Sequence, residues 1–274
     1  MEPRTARPLL RRLFAARTPE RRGAGGRSWA DAAFGRRLLL TVTATAAVSV
    51  PFGLALVLVE SGWPPLRRLD RAAAEGLHSA ALGHPAWVDA LGVLSNVVWD
   101  PLTMRLLVAA VVVWLLVRRA WRLAAWAAVT AVGGGLIGLL VKNVVERARP
   151  HLPDPVAHAP GFSFPSGHAM TATTSCAVVL LVLLPLVPAR WRPLPWAVAV
   201  TSVLGVGFTR IALGVHWFSD VVGGWLLGLA VVTATTLVFE AWRADTGRRR
   251  TTVTEGLEPE LSAPGDPEES TGRR

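Results

Sequence analysis

Three polar clusters interrupt a chain whose middle is otherwise apolar. The first is Lys142 followed by Arg149-Pro150. The second is Phe164-Pro165-Ser166-Gly167-His168. The third is Arg210, His216 and Asp220. Taken singly, each has a plain structural explanation. A Lys or Arg at the end of a membrane span can snorkel to water. Ser166 can cap a helix, and an isolated His packs as often as it reacts. Taken together, they bring three cations and two imidazoles to the start of a helix. Free backbone N–H groups and the helix dipole favour an anion there. That combination suits a phosphoryl group, whose charge spreads over its equatorial oxygens in the transition state. His216 and Asp220 are four residues apart, one turn on a helix. A carboxylate bonded to one imidazole nitrogen fixes the tautomer and leaves the other nitrogen free to attack. His168 is then the proton donor to the leaving oxygen, a role worth about 10²–10⁴-fold.

Such clusters need elements to hold them. Hydrophobic residues make up 51% of the 274, and charged residues only 18%, against about a quarter in soluble domains. The apolar residues fall in long runs, which indicates an all-α polytopic membrane bundle. Six transmembrane helices are expected, over 38–59, 102–117, 123–141, 169–187, 195–213 and 221–239. Pro64-Pro65 is read as a helix breaker, 69–82 as an amphipathic surface helix, and 88–99 as interfacial or re-entrant. The expected organisation is a disordered cytoplasmic tail (1–37), a six-span membrane domain (38–242) and a second disordered cytoplasmic tail (243–274). The small-residue pairs Gly134/Gly138 and Gly224/Gly228 are expected to let helices approach closely.

Charge placement orients this layout. With both termini inside, the inner segments hold 21 of the 29 Lys and Arg, the bias that sets membrane topology. The net charge of +10 is thereby explained without a nucleic-acid partner. The single cysteine, Cys176, excludes an intrachain disulfide. The 142–168 loop and the 210–220 region are separated by two spans, so they share a face, and on this layout that face is extracytoplasmic.

Lys142-x6-Arg149-Pro150, Pro165-Ser166-Gly167-His168 and Arg210-x5-His216-x3-Asp220 together resemble the three-part signature of the type 2 phosphatidic acid phosphatase superfamily. The resemblance runs from the third span to the sixth, and the six-span layout is similar to the membrane-bound branch of the family. It implies a metal-independent, cofactor-free phosphatase working through a phosphohistidine. His216 would be the nucleophile, Asp220 its orienting partner, and His168 the general acid and later the base. Lys142, Arg149, Ser166, Gly167 and Arg210 would hold the phosphate. Thr209, where the family usually has Ser, is carried over as a further phosphate contact. The implied substrate is a membrane lipid phosphate: undecaprenyl diphosphate, phosphatidate or phosphatidylglycerol phosphate, the first favoured by an outward-facing site in a bacterial plasma membrane. A phosphotransferase using an acceptor other than water shares the phosphohistidine step. A vanadate haloperoxidase shares the pocket but not the six spans. A lipid or anion transporter would explain the cations but not the His216–Asp220 pair. His151, Asp154 and His158 match no metal-ligand spacing and are read as loop residues beside a headgroup.

Overall fold

The structure is a computed structural model that describes residues 43–245 and 251–258. The expected tail over 1–37 and the start of the first span lie outside the described residues. The described part is all helical. In chain order the helices are α1 (Thr43–Glu60), α2 (Pro64–Leu82), α3 (Pro85–Val93), α4 (Pro101–Val117), α5 (Trp121–Val145), α6 (Gly167–Leu183), α7 (Pro193–Ala212) and α8 (Phe218–Asp245). Among the described residues six helical stretches are long and apolar enough to cross a membrane, with α3 and α4 counted as one of them.

Local chemistry explains where several helices begin and end. Pro64-Pro65 does not break α2 but starts it, since the first turn has no N–H partners to lose. Asp100 caps α4 by accepting the Leu102 N–H at 2.8 Å, with Pro101 just inside. α5 stops where Glu146 turns left-handed, at φ 48°. Segment 88–99 is helical: α3 runs into a π turn, Leu94–Val98, before the break at Asp100.

The core is built around α6. After His168 it carries no charged residue and no solvent-facing side, the pattern of an enclosed helix, and it is the most buried of the spans. α8, α5, α7 and α4 pack around it. Both glycine pairs face it. A Cβ at Gly224 would stand 2.6 Å from the Ser166 carbonyl oxygen, and one at Gly138 would stand 2.6 Å from Met170 Sδ. At Gly224 the neighbour is backbone, so the missing side chain is what lets α8 lie against the first turn of α6. From α1, Phe52 stacks on the fully buried Phe164 at 6.2 Å, pressing on the loop that leads into α6.

At the opposite end of α6, part of the expected C-terminal tail is docked. Leu257 is buried and donates its N–H to the Leu181 carbonyl at 2.7 Å. Residues 251–258 are therefore held by backbone bonding and burial that their polar composition does not announce.

Candidate active site

The loop between α5 and α6 meets the turn between α7 and α8, as the two-span separation requires. The Ser166 N–H donates to the Asp220 carbonyl at 2.9 Å. The cap of α6 is thus tied to the first turn of α8. Ser166 itself is buried, and its hydroxyl accepts the Ala169 N–H at 3.4 Å. Gly167 is exposed at the first position of the helix.

His216 sits just before α8 and Asp220 in its first turn. His216 Nδ1 lies 3.3 Å from Asp220 Oδ2. The same oxygen accepts the Trp217 N–H at 2.8 Å and the Ser163 hydroxyl. Oδ1 accepts Arg147 Nη1 at 2.6 Å. On the far side of the ring, Nε2 is 3.1 Å from Arg149 Nη1. A guanidinium only donates, so Nε2 presents its lone pair there and the ring proton sits on Nδ1, facing the carboxylate. Burial pushes the His216 imidazole down to about 4, against the opposing pull of the Asp220 hydrogen bond. The ring is therefore neutral near pH 7, with Nε2 in the nucleophilic form.

The cations cluster with one another and with the two rings. Lys142 Nζ donates to the Phe162 carbonyl at 2.8 Å. Arg149 donates to the carbonyls of Gly161, Val215, Pro160 and Phe162 at 2.7–3.1 Å. Burial lowers the Arg149 guanidinium from its ordinary value, and Asp220 partly offsets that. Arg210 Nη1 donates to Ser95 Oγ at 3.0 Å, so the π turn after α3 reaches into the site. Lys142, Arg149, Arg210 and His216 all lie within electrostatic reach of His168. His168 Nε2 and Arg210 Nε are buried with no hydrogen-bond partner among the described residues. Two buried nitrogens, one of them a guanidinium donor, are thus left open near the His216 ring. Thr209 is not brought to this cluster: its hydroxyl donates to the Val206 carbonyl of its own helix at 2.8 Å.

Four residues complete the site without having been singled out from sequence: Asp70, Arg147, Ser163 and Ser219. Arg147 bridges Asp220 to Asp70, donating to Asp70 Oδ2 at 2.7 Å. It also donates to Ser219 Oγ at 2.7 Å. Asp70 in turn accepts the Ser219 N–H at 2.8 Å and its hydroxyl at 2.7 Å. Asp70 lies on a buried stripe of α2 with Ala74, His78 and Ala81. The one sequence signal was that stripe's helical spacing. Among the described residues no cluster of three or more metal-ligating side chains forms.

The fold and the cluster define a class: an integral membrane helical bundle that gathers two imidazoles, a carboxylate and several cations at one end. Residues 120–244 match the model of the PAP2 superfamily. Phosphatidylglycerophosphatase B of Bacillus subtilis is 36% identical over 96 residues, 34% of this chain and 47% of that protein. Undecaprenyl-diphosphatase of Sulfolobus acidocaldarius is 30% identical over 138 residues, 48% of this chain and 58% of that protein. The chain thus spans about half the length of these curated relatives. A crystal structure of a transmembrane PAP2 type phosphatidylglycerolphosphate phosphatase from Bacillus subtilis shares the fold. Its TM-score is 0.62 at 21% identity, covering 74% of this chain and 96% of that one.

Proposed function

We propose that the protein is a lipid phosphatase that hydrolyses a lipid phosphomonoester or diphosphate through a phosphohistidine, without a metal. The observation that carries this reading is the His216 ring. One nitrogen is anchored to Asp220, and the other offers its lone pair to the cation that would first meet a phosphate. In the first step His216 Nε2 attacks phosphorus, the bond to the leaving oxygen breaks, and His168 donates its proton to that oxygen. In the second step His168 accepts a proton from water, the oxygen attacks phosphorus, and the P–N bond breaks. Inorganic phosphate is released and both rings return to their starting states. Lys142, Arg149 and Arg210 neutralise the charge on the phosphoryl oxygens, and the first N–H groups of α6 add donors. The phosphatase relatives and the membrane-spanning helices support a substrate presented from the bilayer.

The test is phosphate release from lipid phosphates in detergent with EDTA present, wild type beside His216→Ala. Wild-type release that survives EDTA and vanishes in the variant is the expected outcome. Equal release by both proteins would remove His216 as nucleophile, and loss of wild-type release in EDTA would overturn metal independence.

A further inference from the structure

At the site's end of the bundle, Lys142, Arg147, Arg149 and Arg210 belong to the cluster and the network behind it. Arg67, Arg68 and Arg71 do not. They stand in the first two turns of α2, on its exposed side. The stripe of the same helix that carries Asp70 is buried, with Asp70 bonded to Arg147 and Ser219. One side of α2 is thus tied to the catalytic network, and another offers three guanidiniums.

These three line a concavity of about 370 Å³ together with Gly62, Pro64 and Glu75. Arg67 is folded back over the α1–α2 turn. A Cβ at Gly62, where φ is +60°, would stand 2.2 Å from Arg67 Nη2. The left-handed turn and the missing side chain leave room for the guanidinium there. Among the described residues none of the three guanidiniums has a hydrogen-bond or ion-pair partner, Glu75 included. Arg71 follows Arg67 by four residues and Arg68 by three, and like charges at those spacings repel. With one carboxylate against three guanidiniums, the concavity holds an excess of positive charge that an anion would neutralise. Pro64 and Pro65 bring no N–H to the first turn of α2, so an anion here is met by guanidinium forks.

The depth of the concavity says which anion. It opens where α1, long and apolar enough to cross a membrane, turns into α2. Trp63 and Leu69 are exposed on the same stretch, at 47% and 49%. Aromatic, apolar and basic side chains mixed in this way seat a helix at the level of lipid headgroups. An anion that meets three guanidiniums at that level is carried by a lipid.

We propose that the concavity binds the anionic headgroup of a bilayer phospholipid in the leaflet at the site's end, with Arg67, Arg68 and Arg71 as its ligands. This lipid is a neighbour of the catalytic site and not its substrate. Its binding needs neither His216 nor turnover, so it stands or falls apart from the phosphatase reading.

The purified full chain in an uncharged detergent is titrated with phosphatidylserine and, separately, with phosphatidylcholine of the same acyl chains. Native mass spectrometry counts the bound lipid. Wild type is expected to bind phosphatidylserine about 10-fold or more tightly than phosphatidylcholine. The combined variant Arg67→Gln, Arg68→Gln and Arg71→Gln should erase that preference. Each single variant should cut it about 5-fold, which keeps the test open if the combined variant does not fold. Arg105→Gln removes an exposed charge from α4, outside the concavity, and should leave the preference unchanged. Millimolar inorganic phosphate should leave the lipid bound. Equal binding of the two lipids by wild type would overturn the proposal. A loss in Arg105→Gln as large as in the combined variant would also overturn it, because diffuse charge and not this concavity would be responsible. Displacement by inorganic phosphate would make the concavity a site for a free anion and remove the lipid from it.

Discussion

At the residue scale, the carboxylate that holds His216 is itself held from outside the signature. Asp220 is fully buried, and a buried anion persists only when paired and hydrogen-bonded. Arg147 is its counter-ion, and Asp70 fixes Arg147 from 77 residues earlier in the chain. Arg147→Ala and Asp70→Asn should therefore leave KM nearly unchanged and lower kcat by up to about 100-fold. They loosen the nucleophile without touching the phosphate-binding cations. Steady-state kinetics on any hydrolysed lipid phosphate checks this; a rise in KM with kcat intact would place Arg147 on the substrate instead. The His216 ring gives a second prediction. Its burial holds it near 4, below its ordinary 6.5. It should thus stay neutral to about pH 5, and histidine NMR in labelled protein would show a ring that protonates far below the others. The sign for stability follows. Between 6.5 and about 4 the unfolded chain binds a proton that the folded one does not. This group's contribution is therefore complete above pH 6.5 and is lost as pH falls toward 4. His216, Asp220, His168 and the three cations were legible in sequence because their spacing is fixed locally or by motif. Asp70 and Arg147 were not, because a lone charge near a span end has snorkelling as its ordinary explanation. Their pairing is a long-range fact.

At the element scale, the site depends on how closely α8 meets the start of α6. Apolar runs and Arg-flanked ends made the six spans legible, and Gly224/Gly228 marked a close packing face. The partner of that face was not legible, since small-residue spacing names one surface and not two. The same limit applied to α2. Its amphipathic pattern separates two faces, but the face carrying Asp70 and His78 turns to protein rather than water. Likewise, nothing in 88–99 announced that Ser95 would meet Arg210 across 115 positions of chain. The α6–α8 contact yields a prediction. In Gly224→Ala the new methyl would meet the Ser166 carbonyl oxygen at 2.6 Å and Ala169 Cβ at 3.0 Å. Both belong to the α6 cap, which has no flexible end to move aside. The variant should lose about 1–3 kcal/mol of stability, as overpacked interiors do, and turnover should fall because Ser166 and His168 ride on the displaced turn. Thermal unfolding in detergent together with kcat measures both. Unchanged values in the variant would mean that α8 can shift without disturbing the site.

At the scale of the whole molecule, the question is which side of the membrane the cluster faces. The loops at the site end and at the opposite end differ in charge. The turn at Arg118–Arg119 and the segment with Arg190 and Arg192 lie at the end of α6 where Leu257 docks, and Arg192 reaches the Thr254 carbonyl. The site lies at the other end, with α2 and the α1–α2 turn beside it. The bias of Arg toward inner loops predicts a site on the outer face. Two cysteine variants made in a Cys176→Ser background test this. Ser61→Cys occupies an exposed position in the α1–α2 turn, and Arg190→Cys an exposed position at the opposite end. In intact spheroplasts a membrane-impermeant maleimide should label Ser61→Cys and leave Arg190→Cys unlabelled until the membrane is opened. The reverse pattern would turn the site toward the cytoplasm, and the substrate would then have to be a lipid phosphate of the inner leaflet. The site chemistry would survive that reversal, because the cations, rings and carboxylate are held by contacts within the bundle and not by the bilayer. The side of the membrane therefore selects among substrates that the His216 geometry alone treats alike.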